Sequence, residues 1–176
     1  LVLDLVEKDL VTDQIVITIG YDSSNLSDCN KKILYYGDTT LDNYGRLIPK
    51  HSHGTVNLKK HISSTKIITE ESVRLFKRIA NRELLVRRLN ICANHVISKD
   101  EAKKEKSPKQ LSLFCDYEAM EREDKKEKKE FEKECSLQKT LINAKKKYGK
   151  NIIMKGMNYK KGATAIERNG QIGGHK

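Results

Sequence analysis

The amino-acid sequence predicts an α+β protein: an antiparallel sheet with helices on one face, then a charged linker and an extended C-terminal helix. Three observations predict it. Three segments alternate apolar and polar residues at a period of two, the signature of half-buried strands. One segment between the second and third of these repeats its apolar residues at helical spacing. After Ser98 the composition changes abruptly, from mixed to strongly charged.

The elements follow in order. The opening LVLDLVEKDL reads as helix, with Leu1, Leu5 and Val6 on one face. Because that pattern is already under way at Leu1, the expectation is a piece of a longer protein. TDQIVITIGYD is the first strand, with Ile15, Ile17 and Ile19 pointing one way and Gln14, Val16 and Thr18 the other. From Asp22 to about Pro49 the chain is rich in turn residues, which leaves a short hairpin there undecided. HGTVNL is the second strand, with Val56 and Leu58 opposed to Thr55 and Asn57. Ser63, Ser64 and Thr65 are N-cap candidates for a helix reaching about Asn81, with Ile68, Leu75, Phe76 and Ile79 as its apolar stripe. LLVRRLNICANHVI is the third strand, carrying Leu89, Ile91 and Ala93 on the helix side and Arg88, Asn90 and Asn94 on the other.

The resulting boundaries are a domain over 1–98, a linker over 99–116, a charged helix over 117–150 and a flexible Gly-rich tail over 151–176. In the charged helix, Glu121 with Lys125 and Asp124 with Lys128 are supporting pairs. Leu137, Leu141, Ala144 and Tyr148 form a narrow apolar stripe, closed by Gly149.

Composition narrows the partners. The chain has 176 residues, of which 37% are hydrophobic and 34% charged, so a packed core occupies only part of it. Lys and Arg outnumber Asp and Glu by 35 to 24, a net charge of +11. That excess favours a polyanion, either nucleic acid or an anionic membrane surface. No apolar run approaches the roughly 20 residues that span a bilayer, and no signal-peptide pattern opens the chain. Cys29, Cys92, Cys115 and Cys135 are scattered without a CxxC pair. Reduced thiols and a cytoplasmic location are the expectation, with no membrane partner.

With the helices over the Ile15, Leu58 and Leu89 side, the uncovered sheet face presents Gln14, Thr18, Thr55, Asn57, Arg88, Asn90 and Asn94. One arginine and six uncharged polar residues suit hydrogen bonding to phosphate and sugar oxygens. An ordinary solvated sheet face would read the same way.

These residues resemble a known family. The order helix, strand, strand, helix, strand, with GTVNL, SSTKIITEESVRLFKRI and LLVRRLNI, is similar to the little-finger domain of Y-family (UmuC-type) translesion DNA polymerases. The likeness covers about residues 1–98. QLSLF, formed by Gln110, Leu111, Ser112, Leu113 and Phe114, resembles the sliding-clamp-binding pentapeptide carried behind bacterial little fingers. ERNGQIGGHK resembles the C-terminus of UmuC-type proteins of Gram-positive bacteria. The resemblance implies a βαββαβ domain laid along DNA near a lesion, with its first strand before Leu1, so that the strand at Thr12–Tyr21 or its neighbour is expected to present an unpaired edge. It also implies that the metal-binding carboxylates of nucleotidyl transfer, and their Mg2+, belong to parts outside this chain. This chain would then bind damaged or primer–template DNA and a sliding clamp in DNA repair and the SOS response, with no catalytic residue or cofactor of its own. Arg87 and Arg88 match the paired arginines at the start of the family's last strand. Ser63, Ser64 and Thr65 would lie at a helix N-terminus able to take a phosphate.

Two other readings compete. A basic α/β RNA-binding protein would use the same sheet, although sheet-type RNA readers display aromatics for stacking and this face has none. A scaffold would rest on the charged helix alone. No GxGxxG, P-loop lysine, GxSxG or HExxH occurs, which argues against an independent enzyme. His51, His53 and His61 lack a carboxylate or thiol at ligand spacing, so no metal site is assigned.

Overall fold

The computed structural model describes residues 1–27, 35–104 and 117–171. The protein is α+β, with an antiparallel sheet and helices, and it divides into two compact units, Leu1–Pro108 and Lys109–Lys176.

In the first unit a short helix α1 (Val2–Glu7) buries Leu5 and Val6. Asp9, at φ +52, turns the chain into β1 (Leu10–Tyr21). β1 is the sheet's central strand. It pairs antiparallel with β4 (Ser52–Ile62) on one side and with β5 (Val86–Asn94) on the other. At its start, Leu10 and Val11 also pair with β6 (Ile97–Ser98). Ile15, Ile17 and Ile19 are fully buried, which is what a period-two strand in a half-covered sheet requires. Between β1 and β4 come α2 (Ser24–Ser27) and the hairpin β2 (Thr39–Leu41) and β3 (Leu47–Pro49). Asp42 organises that hairpin turn: its Oδ1 accepts from the N–H groups of Tyr44 and Arg46, each at 2.9 Å.

α3 (Thr65–Ile79) starts where Ser64 Oγ accepts from the Ile67 N–H at 3.3 Å. It lays Ile68 and Leu75 against β4 and β1. The approach is close because Gly54 faces the helix. A Cβ there would stand 2.9 Å from Ile79 Cγ2 and 3.0 Å from Leu75 Cδ1.

The sequence expectations need four corrections. First, the Leu89 side of the sheet is not covered: Leu89 is 47% and Ile91 40% exposed, because α3 packs on β4 and β1 rather than β5. Second, of the first strand and its neighbour, either of which is a candidate for the unpaired edge, β1 is excluded because it has partners on both sides. The outer edges of β4 and β5 are the ones without a partner strand among the described residues.

Third, the linker expected from 99 begins as helix α4 (Lys99–Lys104). Ser98 and Glu101 start it with a capping box: Ser98 Oγ accepts from the Glu101 N–H, and Glu101 Oε2 accepts from the Ser98 N–H. Fourth, the tail expected to be flexible carries a 3-10 turn (Gly156–Tyr159) and α6 (Ala165–Gly170). Asn169 Nδ2 donates to Asn151 Oδ1 at 2.7 Å, and Asn151 Nδ2 donates to the Ile166 carbonyl.

The main element of the second unit among the described residues is α5 (Tyr117–Tyr148). Among its described side chains Gln138 and Ile142 are buried, Leu141 and Ala144 half-buried, and Leu137 and Tyr148 exposed, so the covered side is rotated from the expected stripe. The pairs expected at Glu121 and Asp124 fall on side chains outside the described set. No helix among the described residues is long and apolar enough to cross a membrane.

Candidate nucleic-acid interface

The register of β4, β1 and β5 assembles the uncovered face row by row. Asn57, Gln14 and Asn94 form one row, and Thr55, Val16 and Cys92 the next. His53, Thr18 and Asn90 form the third row, and Gly20 stands opposite Arg88 in the fourth. The seven residues read from alternation as the polar face, Gln14, Thr18, Thr55, Asn57, Arg88, Asn90 and Asn94, therefore share one surface. No Asp or Glu stands in these rows.

The first row is wired. Gln14 Nε2 donates to Asn57 Oδ1 at 2.9 Å, and Asn94 Nδ2 donates to Gln14 Oε1 at 3.1 Å. An amide NH2 carries two N–H groups. Gln14 and Asn94 each keep one of theirs beyond these bonds, and Asn57 keeps both. Thr18 Oγ1 and His53 Nδ1 hydrogen-bond at 3.0 Å in the third row.

Thr12 holds the end of this face in register. It is fully buried at the irregularity between Thr12 and Gln14. Its hydroxyl accepts from the Gln14 N–H at 3.2 Å and is hydrogen-bonded to the Asn94 carbonyl. It thus ties the backbones of β1 and β5 together beside the amide row.

Other candidates are placed differently. Ser63 and Ser64 are buried, and Ser64 serves as the helix cap. Thr65 is half-buried in the first turn of α3. Arg87 leaves the polar face and pairs with Asp22, Nη1 to Oδ2 at 3.3 Å. The Asp22 carboxyl is held below its ordinary range chiefly by the Ser24 N–H at 2.9 Å, then by the Ser24 hydroxyl and by Arg87. Gln110, Leu111, Ser112, Leu113 and Phe114 lie outside the described residues.

Sequence reading missed three residues. His53 belongs to the polar face, and the exposed alternation of β4 continues through Asn57 to Lys59. Both follow from stepping by two from Thr55. Thr12 offered no such signal, since its partner is 82 residues away. At the same end of the sheet, His95 Nδ1 lies 3.0 Å and His61 Nε2 3.8 Å from Asp13. Among the described residues no three His, Cys, Asp or Glu side chains gather as a metal site.

No family model, no curated protein and no solved structure matches this chain.

Proposed function

We propose that the chain is the DNA-binding and clamp-tethering region of a translesion DNA polymerase, and that its polar sheet face grips the sugar–phosphate backbone of duplex DNA. The observation that carries this reading is the Asn57–Gln14–Asn94 row. It is a pre-oriented line of amides with N–H groups still to donate, on a face whose rows hold no acid. Successive rows along a strand stand about 6.6 Å apart, roughly twice the 3.4 Å rise per nucleotide of a duplex strand. Hydrogen bonds from such donors to phosphate oxygens fix position without reading sequence. Arg88 supplies a fixed positive charge at the far end of the face.

Binding of primer–template DNA by the full chain tests the proposal. Arg88→Ala should weaken every sequence about equally and reduce the salt slope by about 0.9 in log K against log salt, the value of one neutralised phosphate. A loss confined to one sequence, or an unchanged slope, would overturn backbone gripping. Stronger binding to structured RNA than to duplex DNA would overturn the choice of partner.

A further inference from the structure

The excess positive charge of this protein does not sit mainly on the sheet unit. Residues 135–176 contain ten Lys and Arg against the single acid Glu167, a net +9 of the chain's +11. Lys145, Lys146 and Lys147 occupy the last turn of α5, where they complement the negative end of the helix dipole. That role cannot account for Lys150, Lys155, Lys160 and Lys161, which lie beyond the helix.

The chain behind α5 is tied back by side-chain hydrogen bonds. Gly149, at φ +97, ends the helix with its N–H on the Lys145 carbonyl at 3.0 Å. The Asn151–Asn169 bond then returns α6 to the turn that follows the helix. Within this lysine-rich stretch two tyrosines are exposed: Tyr148, the last residue of α5, is 63% and Tyr159 70% exposed. The Lys147 ammonium lies 5.2 Å from the centroid of the Tyr148 ring.

We propose that residues 145–161 form a second polyanion site that takes single-stranded nucleic acid, with Tyr148 and Tyr159 as stacking platforms for bases and the lysines as its backbone contacts. Exposed aromatics interleaved with cations are the combination that single strands require, because unpaired bases offer their faces and duplex bases do not. An anionic membrane surface would instead call for apolar residues gathered along one face of an amphipathic helix. Here the exposed Ile152, Ile153 and Met157 lie in the segment between α5 and α6, with Met157 in its 3-10 turn. The site shares no residue with the polar sheet face, so the two proposals fail separately.

The test uses the full chain with a fluorescent oligo-dT and an oligo-U of about 20 nucleotides, a duplex of equal length, and vesicles containing phosphatidylserine. Tyr148→Ala with Tyr159→Ala should weaken oligo-dT and oligo-U binding about tenfold or more and leave duplex binding unchanged. Tyr148→Phe with Tyr159→Phe should retain single-strand binding, which separates stacking from loss of the hydroxyl. Lys150→Gln with Lys155→Gln and Lys160→Gln should lower the salt slope for single strands. Equal losses on duplex and single strand in the alanine pair would overturn the stacking role. Vesicle binding that exceeds oligonucleotide binding and disappears with Ile152→Ser and Ile153→Ser would overturn the choice of partner.

Discussion

Asn94 donates a side-chain N–H to Gln14 across 80 residues of sequence, at 3.1 Å, while Gln14 passes one of its own to Asn57. The central amide is thus oriented from both sides. Fixing it in advance lowers the side-chain entropy that would be lost on binding a partner.

Gln14→Glu therefore should be the most damaging single change on this face. It is nearly isosteric and half-exposed, so folding should be retained. It replaces a donor by a carboxylate at the centre of the first row and repels phosphate. Duplex DNA affinity should fall by about tenfold or more, with the melting temperature nearly unchanged. An unaltered affinity would show that the row does not meet DNA.

Gly54→Ala tests how α3 is seated. The added methyl would meet Ile79 Cγ2 at 2.9 Å and Leu75 Cδ1 at 3.0 Å, and Leu75 is fully buried. Overpacking of this kind costs about 1–3 kcal/mol. Denaturant unfolding should register that loss. The lost stability should not alter DNA affinity under native conditions, because Thr55 and Asn57 face away from the helix.

Stability should also fall on the acid side. The Asp22 carboxyl titrates below its unfolded value, mainly through the Ser24 N–H and hydroxyl and then Arg87. A depressed folded pKa gives stability that is complete above the unfolded value, about 3.9, and is lost as pH falls through the folded one. Asp22→Asn should flatten the decline in denaturant midpoint between about pH 5 and pH 3. Arg87→Ala should flatten it less, since Ser24 is the larger cause. The reverse order would contradict this account.

Alternation carried much of the polar face by itself. A period of two assigns Gln14, Thr18, Thr55, Asn57, Arg88, Asn90 and Asn94 to one side before any pairing is known. It could not say which amides would meet, because the register beside Gln14 depends on an irregularity pinned by Thr12 to a carbonyl far away in sequence. Nor could it say that Leu89 and Ile91 stay uncovered: alternation gives the side a residue faces, and tertiary packing decides where α3 lies. Ser63 and Ser64 were ambiguous for a chemical reason. A hydroxyl that caps a helix and one that receives a phosphate at a helix start have the same sequence signature.

The uncovered apolar side of β5 bears on solution behaviour. Leu89 and Ile91 are exposed beside a strand edge that has no partner among the described residues. Such edges invite pairing between chains. The protein should self-associate, and Leu89→Thr with Ile91→Thr should reduce that association while lowering stability by no more than about 1 kcal/mol. Light scattering with thermal melting checks both; a monomeric parent chain would refute the expectation.

The remaining prediction concerns QLSLF, which lies between two lysine-rich runs and outside the described residues. In a polar segment, Leu111, Leu113 and Phe114 can contribute to binding only where they leave water, at roughly 1.5–3 kcal/mol for each fully buried side chain. Gln110 adds an amide able to donate and accept at the rim of a pocket. Tethering would multiply the effect: a clamp held by this peptide would raise the effective concentration of the sheet unit at DNA without any new contact. Replacing Gln110, Leu113 and Phe114 together by Ala should abolish clamp binding. It should leave the melting temperature and the binding of naked DNA as they were, and remove the gain in DNA occupancy that added clamp provides. If the triple variant instead melts lower and still binds clamp, the island belongs to the fold, and the tether must be sought elsewhere.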